Sequence, residues 1–284
     1  MKKVLKAIWN EFIYGGHLLS LGAVGITFTI SKLLDFQVTL PLLIIVYLFA
    51  QSMYSLNRYI EYEDDIETNL DRTQHIKTYV TKLPYIIAIE LLAGIILLIV
   101  NNKLWALLFC VIPLLCGYLY STHLKKLTSV IPGLKTIIVS FIWSLFVPFY
   151  VIYSGQEIRF APFIFIFLFI FIRWFINTSF FDIKDITSDS KNKLKTLPII
   201  FGRINYVRIL HLLNLFSMFF LLLGILLGIL PLSARLLLLL LPFTTLYLFL
   251  STKISNAYVY YVMADSEFLL WALLIYLGDT IKWI

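Results

Sequence analysis

Between Phe160 and Phe181 the chain reads FAPFIFIFLFIFIRWFINTSFF, and apolar runs of this kind, each about 20 residues, recur from end to end. A backbone placed in hydrocarbon finds no water to bond its N–H and C=O groups. Each run must therefore satisfy them internally as a helix, or join a closed barrel. The runs are continuous, without the strict alternation of a barrel strand, and that selects helices. Composition points the same way: 61% of residues are hydrophobic and only 14% charged, with a mean hydropathy of +0.91. The spacing predicts an all-α, multi-span membrane protein with nine spans, at 10–31, 38–56, 83–100, 104–120, 134–153, 161–180, 206–229, 233–250 and 265–283. The cationic start MKKVLKAIWNEF lacks a small-residue cleavage site after the first apolar run, which reads as a retained helix.

The N-terminus and the loops after the second, fourth, sixth and eighth spans carry most of the 23 Lys and Arg. The opposite side carries only Lys32, Lys103, Arg159, Arg235 and Lys282, and Arg173 lies inside a span. The positive-inside bias predicts a cytoplasmic N-terminus and an outside C-terminus in a multi-pass cell-membrane protein. The net charge of +7 is then mostly a topogenic signal, and nucleic-acid binding needs no place in the account. Cys110 and Cys116 share one predicted span, too far apart along a straight helix for a disulfide. The four histidines are scattered, so no His/Cys metal cluster is expected.

The acids are distributed unevenly. Glu61, Glu63, Asp64, Asp65, Glu67 and Asp71 crowd the segment after the second span, and Asp182, Asp185 and Asp189 the segment after the sixth. Asn57, Glu61 and Asp65 fall at i, i+4 and i+8, while Asp182, Asp185 and Asp189 fall at i, i+3 and i+7. Each set shares one face of a helix leaving a span on the same side. Like charges so close repel, and something cationic must offset them. One reading is a solvated collar of charge. The sharper reading is that the oxygen-rich faces hold hard divalent cations, and Mg²⁺ favours a few carboxylates completed by phosphate oxygens. Lysines interleave with the second cluster, Arg72 follows the first, and the loop YSTHLKKLTSVIPGLK adds Tyr120, Ser121, Lys125 and Lys126. Metal, cations and hydroxyls are the mixture that a diphosphate needs.

At this point the chain resembles the UbiA superfamily of intramembrane prenyltransferases. NRYIEYEDD resembles the family's first Asp-rich motif, with Glu61 where Asp is usual, and DIKDITSD resembles the second. KTLPIIFG, YSTHLKK and DSEFLLWALLI resemble further family segments, in the right order and after the right spans. The usual N-terminal Arg-Pro is replaced by YGGHLLSLG, a region that can shape the acceptor pocket. The resemblance implies one transmembrane prenyltransferase domain over 1–284, with nine helices around a central cavity under cytoplasmic helical caps. It implies metal roles for Asn57, Glu61, Asp65, Asp182, Asp185 and Asp189, with Asp185 and Asp189 as the strongest ligands and Asp182 beside them, and two Mg²⁺ ions bridging the diphosphate. It implies diphosphate contacts for Arg72, Tyr120, Lys125 and Lys195, and catalysis through Asp185, Asp189, Lys125 and Arg72. The partners so implied are a polyprenyl diphosphate, an acceptor such as an aromatic quinone precursor or another isoprenoid-lipid precursor, and membrane lipids. Arg173 and Asn177 share one face of the sixth span, and a charge at that depth faces a cavity or a partner, so they are candidates for the acceptor or for pairing with a buried acid. The competing readings are a secondary transporter with carboxylate ion sites and a non-catalytic family member.

Overall fold

The computed structural model describes residues 2–122, 124–157, 159–253 and 258–281, without the side chains of Lys2, Asp64, Glu67, Thr68, Tyr120, Ser121 and 124–126. Every regular element among them is helical: α1 (Lys2–Tyr14), α2 (His17–Leu34), α3 (Leu40–Ile60), α4 (Tyr62–Thr68), α5 (Leu70–Ile76), α6 (Leu83–Val100), α7 (Leu107–Thr122), α8 (Leu134–Ser144), α9 (Phe146–Ser154), α10 (Phe160–Lys184), α11 (Ile186–Lys191), α12 (Leu197–Phe201), α13 (Arg203–Leu226), α14 (Leu240–Lys253) and α15 (Asp265–Thr280). Short tighter or wider turns extend several of them, including a π-helical Val259–Ala264 ahead of α15.

Among the described residues, eight helical stretches are long and apolar enough to cross a membrane, and the chain is an integral membrane protein. The stretch expected at 104–120 is Leu104–Leu119, shorter than the other eight. At about 1.5 Å per residue it falls short of the ~30 Å hydrocarbon core, and Pro113 interrupts its ladder. The first span begins at His17, because the Gly15–Gly16 pair breaks the apolar run and leaves α1 as a separate helix. The last begins at Val259, so Asp265 and Glu267 lie inside it and are buried.

The chain divides into two compact units. In the first, residues 1–24 and 39–125, α3 packs along α6 and α7, and α1 lies on α5. Thr39 starts α3 by accepting a hydrogen bond from Leu42 N, with Pro41 in the first turn, where its missing N–H is harmless.

In the second unit, residues 25–38 and 126–284, α10 is central and packs against α8 and α13. Its core includes a stack of rings from three helices: Trp143 on Trp174 at 4.1 Å and Trp174 on Phe268 at 4.2 Å. Gly25 lets α2 touch the backbone of α15, since a Cβ there would sit 2.4 Å from Phe268 O. This unit also buries an ion pair. Arg173 Nε donates to Glu267 Oε1 at 3.1 Å, Nη1 to Asn214 Oδ1 and Ser217 Oγ, and Nη2 to Thr244 Oγ1 and Glu267 Oε1. Thr244 and Tyr247 hydroxyls each donate to Glu267 Oε2 at 2.9 Å. A guanidinium has five N–H groups, and all five are used.

Candidate metal centre

In the first unit the backbone ladder does not stop where α3 gives way to α4. Glu61 N bonds Asn57 O at 2.9 Å, Asp65 N bonds Glu61 O at 2.9 Å, Asn69 N bonds Asp65 O at 2.8 Å and Thr73 N bonds Asn69 O at 2.9 Å. Residues four apart on such a ladder lie one above the other, so Asn57, Glu61, Asp65, Asn69 and Thr73 form one polar face. Asn57 Nδ2 donates to Glu61 Oε2 at 3.1 Å, and Asn69 Nδ2 to Asp65 Oδ1 at 2.6 Å. Arg72, from α5, pairs with the other oxygen of Asp65, which is 9% exposed.

In the second unit α10 carries Asp182, Asp185 sits at its C-terminal joint, and Asp189 lies on α11. Asp189 N bonds Asp185 O at 2.8 Å, which carries the face across the joint. Asp182 is fully buried: Lys135 Nζ stands 2.8 Å from its Oδ1, and Thr136 Oγ1 donates to its Oδ2 at 2.8 Å. Lys184 Nζ lies 3.5 Å from Asp185 Oδ1 and donates to the Tyr261 hydroxyl at 2.8 Å. Burial raises the Asp189 carboxyl to about 6; Lys135 opposes that shift, while the charges of Asp182 and Asp185 add to it. Lys195 is exposed, but its backbone is pinned. Its N–H donates to Thr128 O at 3.0 Å, and its C=O accepts from Gly133 N at 3.2 Å.

The side chains of Tyr120 and Lys125 lie outside the described residues. Arg173 and Asn177 turn into the interior of the second unit. Every N–H of Arg173 has a protein partner there, and Asn177 Nδ2 donates to Ala264 O at 3.2 Å. Arg173 thus has no donor left for an acceptor, and its place in the structure is that of the buried acid's partner.

Among the described residues no three His, Cys, Asp or Glu side chains converge into a group able to hold a metal by themselves. The residues nonetheless fit a divalent ion completed by substrate oxygens. Asp189 Oδ2 is buried and accepts no hydrogen bond from the described residues, while Asp182 Oδ1 and Asp185 Oδ1 face the ammonium groups of Lys135 and Lys184. Carboxylate oxygens held out of water without a donor are costly, and a hard cation with oxygen preference relieves that cost.

Sequence reasoning missed Asn69 and Thr73, although both continue the i+4 series that singled out Asn57. It also missed Lys135 and Thr136. Nothing in the spacing ties the start of α8 to an acid on α10, because only packing of the two helices brings them together.

The model of the UbiA prenyltransferase family matches residues 18–274. Comparison with curated protein sequences gives no match. Among solved structures, a UbiA homologue from Archaeoglobus fulgidus bound to GPP and Mg²⁺ is similar with a TM-score of 0.64 at 14% identity, over 96% of this chain and 100% of that one. An apo UbiA homologue from Aeropyrum pernix K1 has a TM-score of 0.67 at 12% identity, over 92% and 96%. A digeranylgeranylglyceryl phosphate synthase structure has 0.57 at 18% identity, over 98% and 97%. At these identities the likeness is one of fold, and it spans nearly the whole of each chain. With the family model covering all but the ends, the chain belongs to the UbiA prenyltransferase family.

Proposed function

We propose that residues 1–284 act as a Mg²⁺-dependent prenyltransferase, moving an isoprenyl chain from a polyprenyl diphosphate to an acceptor of the aromatic or isoprenoid-lipid type and releasing diphosphate. One observation carries the reading: each acidic face holds a buried carboxylate next to a cation from another helix, Asp65 with Arg72 and Asp182 with Lys135. A site that pairs its acids with its own cations is balanced to accept a diphosphate and its metals together. Two Mg²⁺ ions held by Asn57, Glu61, Asp65, Asp182, Asp185 and Asp189 would supply Lewis acidity to a diphosphate leaving with its bonding electron pair. Arg72, Tyr120, Lys125, Lys195 and Lys135 would take the remaining charge of the diphosphate. The apolar helices would house the isoprenyl tail and keep water from the allylic cation. The GPP and Mg²⁺ bound to the Archaeoglobus fulgidus homologue support this reading. The cation bias of the loops supports a cytoplasmic N-terminus and an outside C-terminus.

The test is transfer by purified protein in detergent, with labelled prenyl diphosphates and a panel of acceptors, with and without Mg²⁺. Product that requires Mg²⁺ and is lost in Asp185→Asn is the expected outcome. Wild-type protein that neither binds nor turns over any diphosphate in Mg²⁺ would refute the proposal.

A further inference from the structure

The helix α1 takes no part in the metal centre, yet its two sides differ sharply. Val4, Leu5, Ile8 and Trp9 fall on one side, and Lys3, Lys6 and Asn10 on the other. The four apolar side chains are 49–62% exposed, so the protein itself covers them only in part. With 13 residues, about 20 Å of helix, α1 is too short to cross a membrane. It is nonetheless held beside one. Only Gly15 and Gly16 separate it from α2, which is long and apolar enough to span. Three Cα steps reach at most about 11 Å, so the end of α1 stays near the membrane surface. The elbow is also pinned to α3: Gly15 O accepts from Gln51 Nε2 at 2.8 Å and from Arg58 Nη1 at 3.1 Å. A short helix with an exposed apolar side, lysines opposite and an anchor at the bilayer surface has the form of one lying in the interface plane. Lys3 and Lys6 are exposed, and such cations are drawn to anionic headgroups.

The single acid of α1, Glu11, is turned inward and ties the helix to α5. Glu11 Oε2 lies 2.7 Å from His75 Nε2 on α5, Oε1 lies 3.3 Å from His17 Nε2, and the Tyr79 hydroxyl donates to Oε1 at 3.4 Å. Hydrogen bonding from His17 holds the Glu11 carboxyl down to about 2, so it stays ionised. Tyr14, the last residue of α1, adds a ring 6.1 Å from that of His75. Three residues before His75, Arg72 pairs with Asp65 on the first acidic face. The whole of α5 is seven residues long, so a shift of α1 reaches Arg72 through one turn of helix.

We propose that α1 docks in the plane of a bilayer surface rich in anionic phospholipid, and that the Glu11–His75 contact carries this docking to α5, where it holds Arg72 in place for diphosphate. The occupant of the exposed apolar side is lipid, with Val4, Leu5, Ile8 and Trp9 at the acyl boundary and Lys3 and Lys6 among the phosphates. The link to diphosphate rests on the prenyl-transfer reading above; the docking does not.

The experiment uses the full chain in vesicles of phosphatidylcholine alone, or of equal parts phosphatidylcholine and phosphatidylglycerol. In a variant lacking Cys110 and Cys116, a nitroxide is placed at Ile8→Cys or Asn10→Cys, and its collisions with oxygen and with a water-soluble nickel chelate report depth. On the anionic vesicles the label at 8 should favour oxygen and the label at 10 the chelate, and Lys3→Gln with Lys6→Gln should move the label at 8 towards water. Binding of geranylgeranyl diphosphate with Mg²⁺ should be about 10-fold weaker in that lysine variant than in wild type on anionic vesicles, and equal to it on neutral ones. Repulsion between surface and diphosphate acts on both proteins alike and cancels in the comparison. Glu11→Gln should keep the label at 8 deep and still bind diphosphate more weakly. A label at 8 open to the chelate on both surfaces, or one broadened by a second copy of the chain, overturns the docking. A lysine variant or Glu11→Gln that binds diphosphate as wild type does overturns the link to Arg72. Wild-type protein that binds no diphosphate on either surface overturns the prenyl-transfer reading and that link, while label depth decides the docking by itself.

Discussion

Asp189 sits where burial and like charge both oppose ionisation, and its carboxyl is raised from 3.8 to about 6. A folded-state value above the unfolded one means the native protein binds that proton more strongly. Metal-free protein should therefore gain stability as pH falls through 6 towards 3.8, and lose it as pH rises. Two units correspond to at most about 3 kcal/mol. Mg²⁺ needs the deprotonated carboxylate, so the melting temperature should rise more on adding Mg²⁺ at pH 7.5 than at pH 5.5. A Mg²⁺ shift equal at both pH values would count against Asp189 as a ligand. Gly16 poses a different residue-scale constraint. Its φ is +91°, and a Cβ there would lie 2.3 Å from the Arg58 guanidinium. Gly16→Ala should cost about 1–2 kcal/mol for the left-handed backbone alone, read as a lower melting temperature. By sequence alone the first span, 10–31, runs straight through the glycine pair; only the fold shows that the pair separates two helices and brings Glu11 to His17.

Among the helices, α10 and α15 are tied by a network that no local pattern reveals. Arg173 and Glu267 are both essentially inaccessible, and the five guanidinium donors plus the Thr244 and Tyr247 hydroxyls satisfy the pair. Removing one partner leaves a bare buried charge, which typically costs about 3–5 kcal/mol. Glu267→Ala should lower the melting temperature sharply, and the double variant Arg173→Met with Glu267→Leu should recover much of the loss. A double variant no better than the single would mean that the pair orders the helices by more than charge balance. Arg173 was legible as unusual because a cation inside a span is costly. Its partner was not, since Glu267 reads as the start of the last helix until Val259–Ala264 is seen to extend that helix upstream. The acidic faces were more legible, because a four-residue spacing states its own geometry on a helix. That spacing also continues through Asn69 and Thr73, across two joints where Glu61 and Asn69 leave helical dihedrals but the ladder persists.

For the molecule as a whole, the eight long apolar stretches among the described residues, the shorter Leu104–Leu119 taken as a ninth crossing, and the cation distribution predict the topology. In a variant lacking Cys110 and Cys116, single cysteines at Lys193 and Lys103 should label from opposite faces in sealed vesicles, the first from the cytoplasmic side. Labelling of both from one side would overturn the positive-inside assignment. The count of spans was legible to within one, and the exception is physical: Leu104–Leu119 is apolar but short, and its start is set by the turn at Asn101–Lys103.

The sequence by itself determined the helical class, the membrane setting and the two acidic faces, because hydrocarbon leaves a backbone one economical solution and helical spacing reports side-chain alignment directly. Tertiary structure alone decided which cations meet which acids. Lys135 reaches Asp182 from another helix, Arg173 closes on Glu267, and Glu11 folds back onto His17 and His75. These pairings join residues far apart in the chain or across a helix break. Their energies depend on burial and on the packing angles of helices, and neither is written in any local pattern.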